Sequence, residues 1–137
     1  MKQIAKLLSG NDLGITGGHQ AGVLLPKTDP EILQFFPDLD KDIKNPSKIL
    51  EFLRRDNGKA IKLRFVYYNS RFHGGTRNEY RLTGLTRLLR ELGASVGDQL
   101  VMSDVGGRYF IEVVRKGNPE IKTMKIKLSG SWSTNGR

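Results

Sequence analysis

Apolar and polar residues alternate over much of this chain, and glycine or proline interrupts the alternation at short intervals, which predicts strands rather than long helices. Ala21-Gly22-Val23-Leu24-Leu25 is a short apolar run stopped by Pro26 and predicts a buried strand. Asp29-Pro30-Glu31 predicts a helix start, with Asp29 as N-cap and Pro30 at the first helical position. Ile32, Leu33, Phe35 and Phe36 follow before Pro37 ends the turn, and polar residues 38–46 predict a loop. Residues 47–55 fit either a helix capped by Ser47 or a strand in which Ile49, Glu51 and Leu53 alternate with Leu50, Phe52 and Arg54. Asn57-Gly58 then supplies a strong hairpin turn, and Ile61, Leu63, Phe65 and Tyr67 alternate with Lys62, Arg64, Val66 and Tyr68 beyond it. The whole predicts a long hairpin.

Residues 69–78 form a polar, glycine-containing stretch and predict a loop. Thr83 is placed to cap a helix from Gly84 to Leu92, in which Leu85, Leu88, Leu89 and Leu92 fall at helical spacing and which Gly93 ends. Strands are expected near 98–105 and 108–115, joined at Gly106-Gly107, and a last one near 121–128. From Ser129 the chain is rich in glycine and serine, which predicts a flexible tail or the start of a linker over 129–137. There is no internal repeat. The fold class is therefore mainly β with two short helices, in a single domain over 1–137, and a closed or nearly closed barrel would protect its strand edges.

A net charge of +9 favours polyanionic partners, and its placement sharpens the point. Lys62, Arg64, Arg71, Arg77, Arg81, Arg87 and Arg90 face a single acid, Glu79, within one segment. No basic amphipathic helix with a wide apolar face accompanies them, and no apolar run approaches the roughly 18 residues that span a bilayer, so no membrane partner is expected. The start, Met1 to Leu8, has no apolar h-region or cleavage site, and cysteine is absent; a cytoplasmic location is expected.

Catalytic chemistry is hard to assemble. Asp42-Ile43-Lys44 and Glu120-Ile121-Lys122 imitate the acid-x-Lys half of a metal-dependent nuclease site, but neither has a second carboxylate at a useful distance along the chain. Gly58-Lys59 lacks the remainder of a phosphate-binding loop, and His19 and His73 have no companions at metal-ligand spacing. No catalytic residue, metal or cofactor is expected here. Two polar segments carry recognition chemistry instead. In the first, Asn11, Asp12, Thr16, His19 and Gln20 offer donors and acceptors among glycines that let the backbone approach a ligand. In the second, Arg77, Asn78 and Glu79 assemble the side chains suited to guanine, adenine and the cytosine amino group, with Arg71 and Arg81 flanking them as phosphate clamps. Ordinary turns and internal Arg–Glu pairing remain the alternatives for these two stretches.

These two segments, NDLGITGGHQAGVLLPK and YYNSRFHGGTRNEYR, resemble the N-terminal effector-binding domain of the EcoRII-type restriction endonucleases. They match in order and with similar spacing, clearly over residues 9–27 and 66–83. The resemblance implies a pseudobarrel of the plant B-three type, whose N-arm (residues 11–20) and C-arm (residues 69–81) grip the major groove of double-stranded DNA. It also implies a CCWGG-type target, a monomeric domain in bacterial cytoplasm, and a separate nuclease domain C-terminal to it that alone needs Mg²⁺. His19 matches the N-arm histidine implicated in DNA binding; Arg71, Arg77, Glu79 and Arg81 match C-arm residues of the same kind, and Asn78 lies in the matched run. Leu24, Gly75 and Tyr80 depart from the family's type sequence, which has a tyrosine at the first and lysines at the other two. The alternatives are a stand-alone regulator of the same fold, a metal-dependent nuclease, or an RNA-binding barrel that stacks bases on Tyr67 and Tyr68.

Overall fold

The computed structural model describes residues 1–14, 22–70, 74–76, 78–117, 125–126 and 132–134. In chain order these carry β1 (Lys2–Leu7), β2 (Val23–Leu25), α1 (Pro30–Leu33), β3 (Ser47–Arg54), β4 (Ala60–Tyr68), β5 (Glu79–Thr83), α2 (Leu85–Glu91), β6 (Gln99–Val105), β7 (Arg108–Val114), β8 (Lys125–Ile126) and β9 (Trp132–Thr134). The strands form one sheet in the order β2-β5-β4-β3-β7-β6-β1-β9-β8. Among the described residues the pairings are antiparallel except for β3 with β7.

Local signals account for the hairpins. Residues 47–54 are strand, in register from Ser47↔Val66 to Leu53↔Ala60, because Leu50 and Phe52 face the core while Ile49 and Glu51 face out. Gly58 takes the left-handed conformation (φ +72°) that the turn requires, and the Asn57 side chain accepts from Lys59 N. Helix α1 starts as expected: Asp29 accepts from Glu31 N at 3.1 Å and Pro30 opens the first turn. Its brevity serves packing, since the chain leaving it buries Phe35 and Phe36.

The sheet curls until its ends meet, and the seam is closed by a side chain. Trp132, fully buried on β9, donates from Nε1 to the Leu24 carbonyl of β2 at 3.0 Å. Glu31 of α1 accepts from Thr134 Oγ1 across the same seam. Inside, rings run in near-continuous contact: Tyr67 on Tyr80 (4.3 Å), Tyr80 on Phe65, Phe65 on Phe36 (4.6 Å), then Phe35, Tyr109 and Phe52. Such contacts add to the area each ring buries.

Two expectations are corrected. The segment from Ser129 is no loose tail in its middle, because Trp132–Thr134 pairs with β1 and is buried. Thr83 does not cap α2; it lies in β5, its hydroxyl points to the Arg64 carbonyl, and Gly84 (φ +93°) makes the turn into the helix without a side-chain cap. Two strands lie where no element was expected: one is the N-terminal segment, between β6 and β9. The other is residues 79–83, between β2 and β4. Of the last strand expected near 121–128, only Lys125–Ile126 falls among the described residues, as β8.

Candidate nucleic-acid interface

The two polar segments depart from neighbouring strands. β2 and β5 pair through Val23↔Leu82, Leu24↔Arg81 and Leu25↔Tyr80. The first segment returns into β2 at the Leu82 end of this ladder, while the second enters β5 at Glu79, beyond the Leu25 end. Their roots are thus about 13 Å apart, from the rise of four strand residues. Leu82 and Tyr80 face the core, so alternation turns Leu24, Glu79 and Arg81 to the opposite face, between the roots.

The root of the first segment is a locked turn. Asp12 accepts from Ser9 N and from Lys6 Nζ, both at 2.9 Å, and the Lys6 and Asp12 side chains are each 9% exposed. Ser9 and Asn11 carbonyls accept from Leu13 N and Gly14 N, which winds the turn shut. On the other side, a Cβ at Gly22 (φ +81°) would lie 2.1 Å from the Leu82 carbonyl oxygen, so glycine is obligatory where the segment meets the sheet. Asp98 steadies the flank: its carbonyl accepts from Leu8 N, and its carboxylate from Ser95 N, Lys116 N and Arg115. Burial pushes the Asp98 carboxyl up, but these donors outweigh it and hold it below the usual carboxylate value.

The root of the second segment is held mainly by rings and amides. Tyr67, stacked on Tyr80, donates its hydroxyl to Asn78 Oδ1 at 2.6 Å, and the Asn78 carbonyl accepts from Lys27 Nζ. Asn69 is completely buried: Oδ1 accepts from Asn45 N, and Nδ2 donates to the Lys41 and Ile43 carbonyls. It pins the loop 41–45 against the root. Gly75 N donates to the Ser70 carbonyl, and a Cβ there would lie 2.8 Å from Ser70 Cβ. The departure at Gly75 therefore goes with a tighter turn than a side chain at that position would permit.

Arg81 joins the two roots. One guanidinium nitrogen donates to the Gly22 carbonyl (3.2 Å) and another to the Glu79 carboxylate (3.1 Å), while Nε is buried without a hydrogen bond. A phosphate clamp needs an exposed guanidinium, and the Arg81 side chain is 10% exposed. In this structure Arg81 is a brace between the segments.

Asp12 and Asn78 are likewise engaged in shaping the roots, Asn11 stands exposed on the locked turn, and Glu79 is half-buried beside Arg81. Thr16, His19, Gln20, Arg71 and Arg77 lie outside the described residues. Sequence reasoning missed Lys6, Gly22 and Asn69, because their roles depend on partners that only the sheet brings near. Tyr67 belongs to the core, which removes one of the two rings an RNA-stacking surface would use. Among the described residues no cluster of acidic or histidine side chains could hold a metal ion, and no helix is long and apolar enough to cross a membrane.

A half-barrel sealed by a side chain, with two short helices, defines a fold of the B3 type. The structure is similar to that of the Arabidopsis FUS3–DNA complex, with a TM-score of 0.61 and 17% identity over 82% of this chain and 96% of that one. It is also similar to the B3 domain of the UbaLAI restriction endonuclease, solved with its cognate DNA, with a TM-score of 0.55 and 21% identity over 85% and 69% of the two chains. These likenesses establish the fold.

The model of the family described as "Restriction endonuclease EcoRII, N-terminal" matches residues 1–102, and the chain belongs to that family. Over 80 residues it is 42% identical to the type II restriction enzyme EcoRII of Escherichia coli, a match covering 57% of this chain and 19% of that enzyme. The matched segment thus spans about a fifth of its relative's length.

Proposed function

We propose that this domain binds double-stranded DNA sequence-specifically, as the target-recognition part of a restriction endonuclease, and does not itself cut. The observation that carries this reading is the pairing of β2 with β5, which sets the roots of two polar segments about 13 Å apart with Arg81 braced between them. That spacing suits a major groove about 12 Å wide. Family membership and the excess of cations support the same reading. In it, the N-arm (11–20) and the C-arm (69–81) enter the groove; Arg77 and Glu79 read a G·C pair of a CCWGG-type site, and His19, Gln20, Thr16 and Arg71 complete the contacts. Arg81 and Asp12 act by holding the arms. The domain works as a monomer without Mg²⁺, which only an attached nuclease domain would need.

The test is binding of the isolated domain to a CCWGG duplex and to single-base-pair variants at fixed salt, with and without Mg²⁺. Retention of the CCWGG duplex over its variants by at least tenfold, with the strands intact, is the expected result. Equal affinity for all duplexes would overturn sequence-specific recognition, and Mg²⁺-dependent strand cleavage would overturn the non-catalytic assignment. Loss of one bidentate contact in Arg77→Ala should cost about 1–3 kcal/mol and relax preference mainly at one base pair.

A further inference from the structure

The outward face of β4 carries cations that the arms leave unused. Its alternate residues Tyr68, Val66, Arg64 and Lys62 pair across the sheet with Glu79, Arg81, Thr83 and, on β3, Glu51. The row thus starts at the root of the C-arm, passes the level at which the N-arm returns, and continues beyond it with two exposed cations. Arg64 donates to the Ser47 hydroxyl at 3.0 Å, and among the described residues neither Arg64 nor Lys62 has a carboxylate within ion-pair distance.

Past Lys62 the row opens into a cleft of about 340 Å³ between the start of β4 and α2. Lys59, Lys62 and Arg87 line it with Ile61 and Leu88, against one acid, Glu91. The Arg87 side chain is 89% exposed and 3.9 Å from Glu91, a contact worth little in water. Arg54 also lines the cleft, but Asp56 and Glu91 already engage it. The lining contains no aromatic ring, asparagine or glutamine. It lacks the stacking and amide groups that read bases and offers the cations that hold phosphates.

The geometry points to a second, sequence-blind contact surface for duplex DNA: Lys59, Lys62 and Arg87 hold backbone phosphates of the DNA flanking the bases gripped by the arms. This rests on the reading that the arms hold a duplex. Lys62 lies about 20 Å along β4 from the C-arm root, the rise of roughly six base pairs. A duplex covering only the recognition site would fall short of the cleft, and a longer one would reach it.

The test compares a duplex of about seven base pairs with one of about 24, both carrying the preferred site, by fluorescence anisotropy over a range of salt. Native protein should bind the longer duplex more tightly, with the steeper salt dependence. The triple variant Lys59→Gln, Lys62→Gln, Arg87→Gln should lose roughly tenfold or more on the long duplex, its salt slope falling by about two to three, and bind the short one unchanged. Glu51→Gln removes the acid opposite Lys62 and should tighten the long duplex a few-fold, a gain that a folding defect cannot produce. Equal losses on both duplexes, or none on either, overturn the flanking contact and leave the arms' role standing. Failure of the native domain to bind either duplex overturns the parent reading together with this one.

Discussion

At the root of the N-arm the chain is held by charge and by backbone contact, through the enclosed Lys6–Asp12 pair and the glycine pressed on Leu82; at the root of the C-arm it is held by stacked rings and neutral hydrogen bonds, through Tyr67, Tyr80, Asn78 and Asn69. The difference follows from what surrounds each root. The C-arm leaves from β4 and β5, whose inward faces already contribute rings to the core, so its base extends the hydrophobic interior. The N-arm leaves from the end of β1 and returns into the three-residue edge strand β2, which place Leu8, Val23 and Leu25 in the core but, among the described residues, bring no stack of rings to the root. An enclosed ion pair and a close backbone approach take its place. Such a pair is unforgiving, because removing one partner strands the other charge. A stacked ring tolerates loss of its hydroxyl, because most of its contribution comes from burial and contact.

The most severe way to break the N-arm root is Gly22→Ala. A methyl group 2.1 Å from a backbone oxygen cannot be relieved by a side-chain rotation, and φ +81° disfavours alanine independently. β2 should detach, with a loss above about 4 kcal/mol, the range kept for such mechanisms. Urea unfolding and duplex binding should both register it. Wild-type stability would mean that β2 does not lie against Leu82.

Asp12→Ala should follow, at about 3–5 kcal/mol, by leaving the Lys6 ammonium enclosed without its counter-charge. The double change Lys6→Met with Asp12→Leu should restore much of that loss. A double variant as unstable as the single one would shift the explanation from the charge pair to the Ser9 turn.

Tyr67→Phe probes the C-arm root and should cost only about 1–2 kcal/mol, the hydrogen bond to Asn78 being lost while the stack on Tyr80 survives. Its larger effect should fall on discrimination between duplexes, since Asn78 would lose its bracket. Unchanged discrimination would separate the root's packing from its recognition.

The smallest effect concerns acid. The folded Asp98 carboxyl lies below its unfolded value of 3.8, so its contribution is fully present above that pH and is lost as pH falls through the depressed folded value. The melting-temperature gap between native protein and Asp98→Asn should hold steady above about pH 5 and shrink in the acid range. A gap that widens with acid would reverse the sign of the linkage.

Much of the fold was legible wherever its cause was local. Asn57-Gly58 and Gly106-Gly107 mark turns whose glycines take positive φ (+72°, +61° and +88° at 58, 106 and 107), and alternation on either side names the strands they join. The Asp29-Pro30 start of α1 needed no neighbour to be read. Of the interface, the composition of the two segments pointed to recognition, but not to which side chains are spent on support. Arg81 and Asp12 look like exposed contacts in sequence, and the fold encloses both.

Sequence by itself therefore determined the hairpins, the capped start of α1, the cationic segment and the family resemblance, because turn geometry, periodicity and charge act between residues close in the chain. Only the tertiary structure decided that the first six-residue strand and the last described strand lie side by side, with Ile4 opposite Thr134. It alone decided that Trp132 seals the barrel against Leu24, and that Arg81 reaches both Gly22 and Glu79. Such contacts join residues as much as 130 positions apart, and a glycine- and serine-rich stretch around a tryptophan carries no local sign of the strand it will meet. What placed them was the curl of one sheet onto itself, which exists only once all its strands have paired.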